Sequence, residues 1–312
     1  MKKGIRIALT VVLVLILAMI LLILILSHKP AAPADYQRTT GTGGAIEAEY
    51  MKNGAFQVVK HEDGTLQEFG KYIVFYPSEL ESTDRKWPVI VMCNGSGTPL
   101  SKYETVARHY ASWGFVVIGT EEKYSWNGFG GEMCIRYLER FNENPKVEDK
   151  ASLFYNKIDF DNVGIVGHSQ GGVGVINAIT DTSHKSIYKT AVSLSPTNQT
   201  LADNLMWNYD ASKINVPILL ISGAGGGDDW VVTGEQLNQI YDAIPSDKAA
   251  MRRKDTAHNQ VLYSPDGYVM AWFMWQLKED ETAAEASTGN SPEIMTNVLY
   301  QDQQISLTFQ DE

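Results

Sequence analysis

Strand-like and helix-like stretches alternate from Gln57 to Lys278, and that alternation leaves few architectures open. Short, continuous apolar runs fall at Pro88–Cys93, Phe115–Gly119, Asn162–Gly167, Thr190–Ser195 and Pro217–Gly223, the mark of strands buried on both faces. Earlier strand-like segments lie at Gln57–Lys60 and Lys71–Tyr76, and a late one at Ala250–Asp255. Helical patterns fill the intervals at Lys102–Trp113, Gly128–Phe141, Gly171–Ile179, Gly234–Ile244 and Gly267–Lys278. This order predicts an α/β domain with a mainly parallel sheet covered by helices on both faces, its early strands antiparallel at one edge. At 312 residues and 44% hydrophobic, the chain can supply one sizeable core.

Part of that apolar content sits elsewhere. The run Ala8–Leu26 is broken only by Thr10, and as a helix it approaches the thickness of a bilayer's hydrocarbon core. Lys2, Lys3 and Arg6 precede it, so the positive-inside rule keeps the amino terminus cytoplasmic and sends the remainder across. Residues 8–27 are therefore expected to be a transmembrane signal-anchor that makes the membrane a partner of the chain. The alternative is secretion after signal cleavage, with Ala31, Ala32 and Ala34 offering a cleavage site. Residues 1–7 form the cytoplasmic end and 28–44, rich in Pro, Gly and Thr, read as a linker. The folded domain is placed at 45–279, with 280–312 a tail packing back on it.

The formal net charge is −11, and without residues 1–30 the rest carries 22 basic against 37 acidic residues, a charge of −15. Nucleic-acid binding needs clustered Lys and Arg, so nucleic acid is excluded as a partner. Cys93 and Cys134 have no Cys or His at zinc-ligand spacing, and sequence leaves open whether they pair.

In an open parallel sheet, ligands bind beyond the carboxyl ends of the strands. Directly after the strand ending at Val166 comes Gly167-His168-Ser169-Gln170-Gly171, a G-x-S-x-G turn that opens a helix. Such a turn presents the serine hydroxyl at the sheet's edge, above a helix N-terminus that favours developing negative charge. Ser169 is the expected nucleophile. It needs a base, and chain order in this arrangement runs Ser, acid, His, which leaves His184 and His258. His184 sits in the polar stretch Thr182–Lys185, whereas His258 follows the last core strand on the correct edge. The acid should follow the strand Pro217–Ile221, where Asp228 and Asp229 are both offered. For the oxyanion hole, Gln170 supplies the amide after the nucleophile, and the Gly-rich turn Cys93–Thr98 supplies another through Ser96.

These features resemble the α/β-hydrolase superfamily, and more narrowly its dienelactone-hydrolase-like and cutinase-like polyester hydrolase branch, which includes relatives of platelet-activating factor acetylhydrolase. The resemblance covers about residues 70–280 and is carried by PVIVMCNGSG (Pro88–Gly97), YASWGFVVI (Tyr110–Ile118), the serine turn and GYVMAWFMWQL (Gly267–Leu277). It implies an eight-stranded-type sheet. The run Asp229-Trp230-Val231-Val232-Thr233-Gly234-Glu235-Gln236 is similar to the family's acid turn, D-x-V-V-P-x-E-Q, which favours Asp229 over Asp228. Two departures stand out: Ser96 where polyester hydrolases place an aromatic residue, and Ser195-Pro196-Thr197 where they place a tryptophan.

The resulting expectation is a serine ester hydrolase with the triad Ser169, His258 and Asp229, Ser96 and Gln170 as oxyanion donors, no metal or organic cofactor, and a small-molecule or lipid-like ester as substrate. The rivals are an acyltransferase using the same triad and a catalytically silent membrane-tethered binding domain. The short stretch between Ser195 and Pro217 leaves no room for a large helical cap, so an open cleft is expected, with Trp126 as a candidate lining residue.

Overall fold

The computed structural model describes residues 19, 29–64 and 69–308. The expected membrane span at 8–27 and the cytoplasmic end at 1–7 lie outside the described residues, apart from Met19; among the described residues no helix is long and apolar enough to cross a membrane.

Nine strands form one sheet: β1 (Val58–Gly64), β2 (Lys71–Pro77), β3 (Trp87–Cys93), β4 (Val116–Thr120), β5 (Ile158–His168), β6 (Tyr188–Leu194), β7 (Ile218–Ala224), β8 (Lys248–Lys254) and β9 (Tyr300–Ser306). Their spatial order is β1-β2-β4-β3-β5-β6-β7-β8-β9. The six strands from β4 to β8 run parallel, while β1, β2 and β9 pair antiparallel at the two edges. The ninth strand departs from the eight-stranded expectation, because the tail does more than pack: Tyr300–Ser306 pairs along β8 and covers its edge.

All seven residues of β3 are buried, and its side chains alternate between two cores. Ile90 and Met92 face one side with α1 (Glu104–Ser112) and α5 (Asp266–Lys278), burying Tyr110, Tyr268, Trp272 and Phe273. Val89 and Val91 face the other with α2 (Phe129–Glu143), α3 (Gln170–Asp181) and α4 (Gly234–Ala243). A period of two along an all-apolar strand is what burial on both faces requires. Cys93 and Cys134 are both buried, with free thiols.

Residues 29–44, expected to be a linker, instead lie on the domain. Ala32 and Tyr36 are buried in the first core, because an aromatic ring and a small apolar side chain gain more from that contact than from solvent. Behind this segment, Glu47 is fully buried and accepts from Arg253 Nη1 at 2.7 Å, Tyr300 Oη at 2.6 Å, Asn297 Nδ2 at 2.8 Å and the Gly43 amide at 2.7 Å. The cluster ties the amino-terminal region to β8 and the tail.

Removing one partner from a buried ion pair strands the other charge. Arg253→Leu is expected to lower unfolding free energy by roughly 3 kcal/mol, seen as a lower urea midpoint.

Candidate active site

The G-x-S-x-G turn is built from a close backbone approach. A Cβ at Gly171 would overlap the carbonyl oxygens of Cys93 and Asn94, and one at Gly167 would overlap the Gly171 carbonyl, so both positions need glycine. Ser169 sits at the N-cap of α3 with φ 62° and ψ −121°, a backbone conformation that a side-chain-bearing residue pays strain to hold. The turn is clamped by Ser169 N–H donating to the Leu194 carbonyl at 2.8 Å and Gly172 N–H to the Ser169 carbonyl at 2.9 Å.

Ser169, Ser96 and His258 line a cleft of about 940 Å³ beyond the carboxyl ends of the parallel strands. His258 opens a one-turn helix, His258–Val261. Its Nδ1 lies 2.6 Å from Asp228 Oδ1, and a carboxylate there holds the proton on Nδ1 and leaves the Nε2 lone pair available as a base. The ring is backed by His168, whose centroid lies 4.5 Å away and whose Nε2 is 2.8 Å from the His258 carbonyl oxygen. Burial holds the His168 imidazole down to about 3, so it is neutral and donates from Nε2 to that carbonyl.

The structure sets Asp228 rather than the expected Asp229 against His258. Asp228 is fully buried and its Oδ2 also accepts from the Gly223 amide at 2.6 Å and the Ser195 hydroxyl at 3.1 Å. Asp229 lies largely in solvent and pairs with Arg252 at 2.5 Å. The two aspartates start a 3₁₀ turn, Asp228–Trp230, where successive side chains point about 120° apart. Gly226 and Gly227, both at positive φ, swing the chain inward just before Asp228. Burying one aspartate therefore exposes the other.

On the opposite wall the Gly95 amide donates to Tyr103 Oη at 3.0 Å and the Gly97 amide to the Lys123 carbonyl at 2.8 Å. The Ser96 amide between them has no acceptor among the described residues. Asn94 anchors this turn, its Nδ2 donating to the carbonyls of Thr120 at 2.7 Å and Glu122 at 2.9 Å. Gln170 is fully buried and its Oε1 accepts from the Ser125 amide at 3.1 Å, which orients the first residue of α3. Trp126 does not line the cleft; it packs against the second core while its carbonyl accepts from Asn177 at 2.8 Å. His184, set aside in the sequence, pairs with Glu132 and Glu139 away from this cleft. Ser195, Tyr103 and His168 hydrogen-bond to Asp228, Gly95 and His258, contacts that no short motif announces. Among the described residues no group of His, Cys, Asp or Glu is placed to hold a metal ion.

The family model for PET hydrolase-like proteins matches residues 31–299. The chain belongs to the PET hydrolase-like family. Cutinase est1 of Thermobifida alba is 26% identical over 265 residues, covering 80% of this chain and 81% of that protein. Bis(hydroxyethyl) terephthalate hydrolase of Streptomyces coelicolor is 24% identical over 196 residues, covering 61% of this chain and 56% of that protein. Cutinase est2 of Thermobifida alba is 25% identical, covering 68% and 66%. The cutinase-like polyester hydrolase branch of the α/β-hydrolases is thereby the chain's place, and the PET hydrolase-like protein is a carboxylic ester hydrolase.

Glu122, whose carbonyl accepts from Asn94 of the turn that carries Ser96, is buried and its carboxyl is raised to about 7 by that burial. A carboxyl raised in the folded state contributes stability below its unfolded value near 4.5 and loses it as pH climbs through 7. Glu122→Gln is expected to raise the urea midpoint at pH 8, by a free energy on the order of 2–3 kcal/mol, and to change it little at pH 4.

Proposed function

We propose that this PET hydrolase-like protein cleaves carboxylic esters through an acyl-enzyme on Ser169, with His258 as base and Asp228 as the acid that orients it. The observation that carries this reading is the 2.6 Å contact between His258 Nδ1 and a fully buried Asp228 that Ser195 and Gly223 also hold. A histidine so fixed has one role open to its remaining nitrogen at the edge of a cleft it shares with a strained serine.

In the first step, Ser169 Oγ attacks the ester carbonyl carbon as its proton passes to His258 Nε2. Asp228 stabilises the imidazolium without taking the proton. The carbonyl oxygen becomes an oxyanion, held by the amides of Ser96 and Gln170 at the N-terminus of α3. Collapse expels the alcohol, which leaves with the proton from His258. Water, deprotonated by the same nitrogen, then attacks the acyl-Ser169 carbonyl and releases the acid and the free serine.

The substrates named in the relatives, cutin-type polyesters and a terephthalate diester, support a soluble or lipid-like ester for this chain. Ser96 and Ser195-Pro196-Thr197 replace the aromatic residues of the polyester hydrolases, which favours small esters over an extended polymer surface. The apolar run at 8–27, preceded by basic residues, supports a domain acting outside the cytoplasm, as an anchored or a released protein.

Labelling with a fluorophosphonate probe tests the nucleophile: wild type should react, and Ser169→Ala and His258→Ala should not. Asp228→Asn is expected to lower kcat by about three to four orders of magnitude, with Asp229→Asn within a few-fold of wild type. A large loss in Asp229→Asn alongside an active Asp228→Asn would overturn the acid assignment.

A further inference from the structure

The α/β core does not enclose the cleft by itself. Six consecutive residues, Lys29–Ala34, line it together with Ser169 and His258. This segment is fixed on both sides. The Ala31 amide donates to the Lys102 carbonyl at 2.9 Å. Two residues past Ala34, the fully buried Tyr36 donates its hydroxyl to Asp266, whose carboxylate also meets His109 Nδ1 at 2.7 Å. The Tyr36 ring packs 5.5 Å from that of Tyr263, itself a lining residue. Ala32, between these two ties, is 1% exposed.

The segment's composition matches its position. Pro30, Ala31, Ala32, Pro33 and Ala34 present only small apolar side chains, and the two prolines restrict their own backbone and that of the residues before them. A bent, preorganised strip with no bulk borders the cleft without filling it, since the cleft keeps about 940 Å³ with the strip in place. The strip thus offers contact rather than obstruction.

We propose that Lys29–Ala34 is a wall of the ester-binding cleft that selects for substrates with an extended apolar arm, so that the amino-terminal segment is part of the specificity machinery. This rests on the hydrolase reading above. The wall gives little to an acetyl ester of a small alcohol, whose atoms stay near Ser169. A longer chain lying along the strip removes apolar surface from water at each methylene. One consequence concerns processing: cleavage at Ala32-Pro33-Ala34 would remove the wall, so the active chain retains these residues.

The test uses the full-length protein and Ala34→Asp, a change at an exposed position of the strip, beside Ala34→Val. Two ester series are compared by kcat/KM: p-nitrophenyl acetate against p-nitrophenyl decanoate, and ethyl acetate against decyl acetate. Ala34→Asp is expected to lower the long-to-short ratio in at least one series by about tenfold, and Ala34→Val to keep or raise it. Ratios unchanged in both series for both variants, with fluorophosphonate labelling of Ser169 intact, would overturn the wall. Absence of labelling in the wild type would instead sink the hydrolase reading itself. Mass spectrometry of the active protein provides a second readout: an amino terminus at or before Lys29 is expected, and a fully active form beginning at Asp35 overturns the proposal.

Discussion

The backbone of α3's first turn lies against the end of β3, and the placement of the proposed nucleophile and of the turn opposite it follows from that contact. Gly171 touches the carbonyls of Cys93 and Asn94, and the chain beyond Asn94 is the turn that carries the Ser96 amide. One close approach therefore sets both the nucleophile's position and the distance from it to the opposite donor. Ser169's left-handed backbone is the local cost of this arrangement. It is offset by the packing of Val173, Val175 and Ile176 into the second core, where α3 is held between the sheet and α2. A larger residue at 171 would push the helix off the strand and widen the gap between Ser169 and the Ser96 turn.

The parallel core and its five main helices were legible in the sequence because each rests on a periodic pattern of apolar residues, and burial on both sheet faces makes that pattern strong. The serine turn was legible for a related reason: crowding at a strand-to-helix corner restricts residue type. Asp229 shows where such reasoning stops. Its neighbours matched a family pattern by residue type, but the choice between two adjacent aspartates depends on the angle at which the chain enters a 3₁₀ turn, and two left-handed glycines set that angle. No periodicity encodes it. The donor that distinguishes the pair, Ser195 at φ 42°, lies 33 residues earlier in the chain, where no local pattern links it to Asp228.

The segments on either side of the α/β core lie against it for a related physical reason. Residues 29–44 have linker composition and residues 280–312 have a weak apolar pattern, and neither contains enough apolar surface to fold alone. Tyr36 inserts one ring into a finished core, and the tail, described to residue 308, is held where Tyr300–Ser306 pairs with β8 and where Tyr300 and Asn297 reach the Glu47–Arg253 pair. A single buried aromatic residue fixes a segment without leaving a periodic signal, because its partners are supplied by other parts of the chain.

Those anchors also join stability to the catalytic cleft. Asp266 begins α5, accepts from Tyr36 and pairs with His109 of α1, so the two helices covering one sheet face are locked to the strip that borders the ester site. Under the reading proposed above, loosening this junction would act on substrate selection before it acts on the triad, since Asp228 is held apart from it by Ser195, just past β6, and by Gly223 of β7. The fold thus keeps the reacting groups on the parallel sheet, where backbone crowding fixes them. It leaves the substrate-facing border to a peripheral segment, whose side chains can change without disturbing the chemistry.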